Sequence, residues 1–202
     1  IAGCGDVGSR LALSLEPSGW TLYGLRRDVA QLPAGVLPVA GDLQQPACPP
    51  AWPQGQLDYL VYCVAASQHD EAGYRCAYVE GLRHVLAWLA ERGQRPQRLL
   101  FVSSSGVYAQ ADGEWVDEQS PAEASSYSGR VMREAEQLAL DSGLPATLVR
   151  LTGIYGPGRQ WLLNQVRQAS RVASEPPLYG NRNHADDAAG LLAFMLQGDA
   201  AG

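Results

Sequence analysis

Two hydrophobic periods alternate along this chain. An apolar stub, Ile1-Ala2, runs into a glycine-rich turn and then a helical pattern from Val7 to Leu15. Ser18-Gly19 ends that element, and Trp20–Leu25 and Val36–Ala40 read as short strands. Residues 44–56, rich in Pro, Gln and Gly, read as a loop. Leu57–Val64 is a nearly continuous apolar run, the mark of a strand buried on both faces of a parallel sheet. Between 70 and 92 the apolar positions Tyr74, Ala77, Tyr78, Gly81, Leu82, Val85, Leu86 and Leu89 form one helical stripe, closed by Gly93 as a C-cap. Arg98–Ser103 is the next strand, and 106–125 a loop with a turn at Asp112-Gly113. Ser125 or Ser126 caps a helix carrying Tyr127, Val131, Ala135 and Leu138 on one face. Ala146–Leu151 is a further strand and Ala188–Gln197 the last helix, with Asp186 as its N-cap and His184 fixing the turn. His84 reads as a solvated helix residue, and His69 has no evident partner.

Strands and helices thus alternate with no repeat and no linker. The pattern predicts an α/β fold: a doubly wound parallel sheet with helices on both faces and right-handed crossovers. The expected organisation is a nucleotide-binding unit over 1–152. A mixed segment over 153–202 would supply a small, truncated C-terminal lobe and a helix returning to the first unit.

Composition narrows the function. The chain has 202 residues and a net charge of −6 without a basic block, which argues against nucleic acid or an anionic membrane as partner. No apolar stretch is long enough to span a bilayer. Cys4, Cys48, Cys63 and Cys76 show neither metal-ligand nor redox spacing, so they read as reduced thiols of a cytoplasmic protein, and no metal is expected. The chain opens inside a strand without a signal peptide, so residues are expected to precede Ile1.

The chemistry starts at Gly3-Cys4-Gly5-Asp6-Val7-Gly8, a G-x-G-x-x-G pattern between a strand stub and a helix. Gly3 permits the tight turn, Gly5 a close approach of backbone to a pyrophosphate, and Gly8 close helix–strand packing. The helix N-terminus adds free N–H groups and partial positive charge. The region where an acid would receive a ribose 2′-OH reads Tyr23-Gly24-Leu25-Arg26-Arg27-Asp28. Two arginines suit a 2′-phosphate, so NADP is favoured over NAD, with Asp28 as the alternative ribose ligand. Asp42 either touches the adenine or caps a turn. Ala65 and Ala66 leave room for a cofactor at the end of their strand.

Four further stretches follow in order: Ser103-Ser104-Ser105-Gly106-Val107-Tyr108, Tyr127-Ser128-Gly129-Arg130, Arg150 to Arg159 (RLTGIYGPGR), and His184-Ala185-Asp186-Asp187. Together with the glycine motif they resemble the extended short-chain dehydrogenase/reductase family, the NAD(P)-dependent epimerase/dehydratase group, and within it the atypical members. The resemblance covers essentially the whole chain and implies a Rossmann domain. It implies that Ser104, or Ser105 in a shifted register, holds a substrate oxygen and that Tyr127 gives or takes a proton. It places Gly153 beside the nicotinamide and implies a homodimer through the helices at 70–92 and 126–141, although a stripe facing its own sheet explains those helices equally well. Arg159 meets an anionic substrate such as a sugar nucleotide, or pairs at the surface.

Two departures stand out. The family's Tyr-x-x-x-Lys lysine is Val131 here, and Tyr78 stands where a relay asparagine is usual. A free phenol is only about 0.1% ionised at neutral pH, so a lost cation matters. Arg130, one turn from Tyr127, is a candidate replacement. The leading expectation is an oxidoreductase or epimerase acting on a hydroxyl or keto carbon of a small molecule. Its rivals are an NADP-binding sensor or scaffold without redox turnover, and a plain α/β domain for another nucleotide.

Overall fold

Leucines and β-branched residues on alternate faces of each strand decide which helices cover which side. In a computed structural model that describes residues 1–110, 112–168 and 180–198, five parallel strands and a one-residue stub form the main sheet. They are β1 (Leu22–Arg26), β2 (Val36–Ala40), β3 (Tyr59–Tyr62), β4 (Arg98–Ser104) and β5 (Ala146–Leu151). Ala2 bridges Leu25 on one side and Tyr62 on the other, so the order is β2-β1-Ala2-β3-β4-β5. The chain winds outward first to one side of the stub and then to the other. The crevice between the two halves opens at the strands' carboxyl ends, where doubly wound sheets bind ligands.

Odd and even strand residues go to different cores. Leu60, Tyr62, Leu99 and Phe101 pack with the helices of residues 71–91 and 127–140. Val61, Leu100, Val149 and Leu151 pack with α1 (Asp6–Leu15) and the C-terminal helix α6 (Ala185–Gly198). Both faces are therefore covered, as the unbroken apolar run around β3 anticipates. α6 lies against α1 through Ala188, Ala189, Leu192 and Leu196. A short parallel pair, β6 (Gly153–Tyr155) with β7 (Arg182–His184), and the helix α5 (Trp161–Arg167) complete the described part of 153–202. Residues 169–179 and 199–202 of that segment lie outside the described residues.

The helix at 70–92 is not uniform. α2 (Glu71–Tyr74) is capped by the Asp70 carboxylate, which accepts the Gly73 N–H at 2.7 Å. A π-helical stretch (Arg75–Glu80) follows, and then α3 (Gly81–Glu91). The cause is a side chain inserted into the helix ladder. The Tyr62 hydroxyl donates to the Ala77 carbonyl at 2.6 Å, and the Gly81 N–H bonds the Cys76 carbonyl instead. Ser126 caps α4 (Tyr127–Leu140), accepting the Gly129 N–H. The apolar stripes of α3 and α4 are spent inside the chain, on Leu82, Val85 and Leu89 and on Val131, Ala135 and Ala139. The outer surface of the 71–91 and 127–140 helices carries charge, including the Arg75–Glu134 pair.

Three sequence expectations change. His84 is not solvated: its Nδ1 lies 2.8 Å from the Leu43 carbonyl oxygen and its ring stacks on Trp88. Asp186 is not an N-cap, because α6 starts earlier at Ala185 and the carboxylate pairs with Arg10. The strands around 20–25 and 57–64 are offset or shorter, at Leu22–Arg26 and Tyr59–Tyr62, the stretches that pair residue for residue with β2 and β4. His184 does hold its turn, through Nδ1 to the Asp186 N–H at 3.3 Å. Among the described residues no helix is long and apolar enough to cross a membrane, and no acid, His or Cys cluster is placed to hold a metal.

Candidate active site

One cavity of about 490 Å³ follows the carboxyl ends of the strands. Its floor is the glycine turn. Gly3 has φ +81°, and a Cβ there would stand 2.7 Å from the Cys63 carbonyl oxygen, so only glycine fits. Gly5 is different: φ is −86° and a Cβ would meet nothing closer than 4.0 Å. A Cβ at that position would therefore have room. Gly5 borders the cavity at the N-terminus of α1, where no protein side chain caps the helix. A ligand phosphate approaching the backbone would need both features. The turn therefore fits a dinucleotide pyrophosphate. Asp6 and Val7 border the cavity beside Gly5, whereas Cys4 is fully buried and Gly8 packs against Gly3 and Ile1.

The end beyond β1 and β2 is lined by Arg26, Arg27, Asp28, Gly41 and Asp42. Arg26 is occupied, donating to the Cys4 carbonyl at 3.1 Å and to the Gln31 side chain at 2.8 Å. The Asp28 carboxylate is spent on the Ala30 N–H and on the Gln31 amide. Asp42 caps a turn by accepting the Gln44 N–H, and it also lines the cavity. Arg27 is exposed and has neither an ion pair nor a hydrogen bond among the described residues. An uncommitted guanidinium beside a committed carboxylate suits a phosphate better than a ribose hydroxyl.

The other end is lined by Ala65, Tyr78, Ser103, Ser104, Met132 and Thr152. The Ser104 hydroxyl accepts the Gly106 N–H at 3.1 Å and borders the open space. Ser105 starts the next turn, with its carbonyl bonded to the Tyr108 N–H, and does not line the cavity. The Tyr127 hydroxyl donates to the His69 carbonyl at 2.6 Å, and its ring meets Tyr74 edge-on at 5.6 Å; it too stands outside the lining. Arg130 is taken by the Ser125 carbonyl and by Glu71 at 3.8 Å. Val131 is buried. Ala66 and Gly153 stand just outside the lining; the Ala66 N–H lies 3.4 Å from the Tyr78 hydroxyl. Burial raises the Tyr78 pKa, with a smaller opposing effect from that hydrogen bond.

Behind Ser104 lies a network that the sequence did not reveal. Glu136, buried in the middle of α4, accepts from the Ser103 hydroxyl at 2.6 Å and binds Arg150 through both oxygens at 2.9 Å. Arg150 also donates to the Tyr108 hydroxyl at 3.0 Å and lies over that ring. It joins α4, β4, β5 and the 105–125 loop. The cysteines are free thiols, and burial pushes that of Cys63 up to about 12.

Comparison with known proteins agrees with this architecture. The family model described as NAD dependent epimerase/dehydratase matches residues 1–202. Protein YeeZ of Escherichia coli (strain K12) is 28% identical over 209 residues, covering 98% of this chain and 72% of YeeZ. A structure of a candidate NAD-dependent epimerase/dehydratase from Methylobacillus flagellatus is 37% identical, with a TM-score of 0.75 over 99% of this chain and 70% of that one. MoeE5 in complex with UDP-glucuronic acid and NAD is 22% identical and shares the fold, with a TM-score of 0.71 over 96% of this chain and 69% of its own.

Proposed function

The chain belongs to the NAD-dependent epimerase/dehydratase family, and on that premise we propose that it binds a nicotinamide dinucleotide, preferring NADP, and acts on a hydroxyl- or keto-bearing carbon of a nucleotide-sugar-like substrate. The observation that carries this reading is the single cavity joining the glycine turn, the uncommitted Arg27 and the Ser104 hydroxyl. The turn and the N-terminus of α1 hold the pyrophosphate, and Arg27 holds the 2′-phosphate. When bound, the dinucleotide supplies or accepts hydride. Ser104 holds the substrate oxygen, and Tyr127 moves its proton once its hydroxyl leaves the His69 carbonyl. The nucleotide-sugar class is suggested by MoeE5, whose complex contains UDP-glucuronic acid.

Calorimetric titration with NADPH and NADH tests the cofactor. NADPH is expected to bind about tenfold or more tightly, the worth of a charge-assisted phosphate contact, and Arg27→Ala should erase the difference. Equal affinities in the parent protein would return the ribose to Asp28. Gly5→Ala tests the cradle. A methyl at Gly5 has room in the fold, so the protein should stay folded while dinucleotide affinity drops about tenfold or more, because the methyl holds the phosphate away from the backbone N–H groups. A lowered melting temperature with intact binding would overturn the assignment.

Val131 and the Tyr127–His69 bond favour a second reading, cofactor binding without turnover. It predicts NADPH binding and no hydride transfer across a panel of UDP- and TDP-sugars.

A further inference from the structure

The glycine turn contains a carboxylate where a pyrophosphate should lie. Asp6 is the first residue of α1, between Gly5 and Gly8, and it borders the cavity. Alone, its charge would repel two phosphates. Each of its oxygens instead holds an arginine: Oδ1 accepts from Arg10 Nε at 2.8 Å and Oδ2 from Arg159 Nε at 2.7 Å. Burial alone would raise the Asp6 pKa, but the hydrogen bonds and charges of the two arginines outweigh it and lower it.

The two arginines are used differently. Arg10 is committed at every nitrogen, to Asp6, to Asp186 and, at 3.5 Å, to the Pro157 carbonyl. It does not line the cavity. Arg159 does, although it lies 153 positions from Asp6, in the turn beyond β6. That turn is closed by the Arg159 N–H on the Gly156 carbonyl at 3.0 Å. Arg159 spends only Nε on Asp6. Among the described residues neither of its Nη groups has a partner.

We propose that Arg159 is the pyrophosphate-binding cation of this cavity and that Asp6 is the residue that positions it, an inference that rests on the dinucleotide reading above. A guanidinium held by Nε keeps its two Nη donors for the oxygens of a phosphate, the fork geometry that lysine lacks. Arg10 neutralises the carboxylate, so the turn stays attractive to an anion. The same contact ties the 153–159 segment to the glycine turn, so the dinucleotide organises a segment beyond the nucleotide-binding unit.

Three probes separate the subsites by calorimetry on the whole protein. NADPH carries both a pyrophosphate and a 2′-phosphate. ADP-ribose carries only the pyrophosphate, and adenosine 2′-monophosphate carries only the 2′-phosphate. Arg159→Ala should weaken NADPH and ADP-ribose by about tenfold or more and leave the monophosphate within about twofold. Arg27→Ala should weaken NADPH and the monophosphate and spare ADP-ribose. Unchanged ADP-ribose affinity in Arg159→Ala, or equal losses for all three probes, would overturn the assignment. Failure of every probe to bind the parent protein would instead sink the dinucleotide reading and this inference with it. Asp6→Ala should weaken ADP-ribose in the parent background and add nothing in the Arg159→Ala background, since it acts through Arg159. Tighter ADP-ribose binding in Asp6→Ala would make Asp6 a competitor for Arg159 and overturn its positioning role.

Discussion

Glu136→Ala is expected to destabilise the protein by about 3–5 kcal/mol, the usual cost of removing one partner from a buried ion pair. The glutamate side chain is 4% exposed and that of Arg150 22%. Its removal strands two groups at once, the Arg150 guanidinium and the Ser103 hydroxyl. Arg150 cannot shed its charge to relieve the loss, because a guanidinium stays protonated in proteins. Glu136→Gln keeps the shape and part of the hydrogen bonding, so it should lose less. Glu134→Ala is the control on the same helix. It breaks the Arg75 pair, whose side chains are both over 40% exposed, and should cost under about 1 kcal/mol. Urea unfolding with an unchanged slope would measure all three. A loss of under about 1 kcal/mol for Glu136→Ala would mean that the network does not hold β4, β5 and α4 together.

That network shows where the sequence stops being legible. The alternation of strands and helices, the parallel sheet and the glycine turn could all be read because each rests on periods and spacings within about 20 residues. The pairing of Glu136 with Arg150 and Ser103 has no such local signal, since a glutamate within an amphipathic helix normally points to solvent. The stretch Arg75–Glu80 reads as ordinary helix, because the Tyr62 hydroxyl that converts it to π geometry arrives from another strand. His84 looked solvated for the same reason, its partner being a loop carbonyl at Leu43. The glycine turn is legible in its spacing but not in its charge. Asp6 reads as one more first-turn acid until Arg159 is found on it. Arg26 and Arg27 look equivalent in the chain, and only their hydrogen bonds divide them, the first consumed by Cys4 and Gln31 and the second left over.

Tyr127→Phe carries the largest expected effect on chemistry. If Tyr127 moves the substrate proton, its loss should lower kcat by about 10²–10⁴-fold, the usual contribution of a general acid or base. A group acting only in the transition state lowers kcat and kcat/KM together, so KM and NADPH affinity should be unchanged. Stability should fall by only about 1 kcal/mol, because a single hydrogen bond to the His69 carbonyl is removed. The native bond turns the Tyr127 hydroxyl toward residue 69 rather than toward Ser104. Val131 is buried at the usual lysine position and Arg130 is committed to Ser125, so neither places a free cation beside that hydroxyl. Turnover unchanged in Tyr127→Phe would remove Tyr127 from the chemistry. NADPH binding without turnover in the parent protein would make Val131 the decisive departure and leave a binding protein on an enzyme's fold.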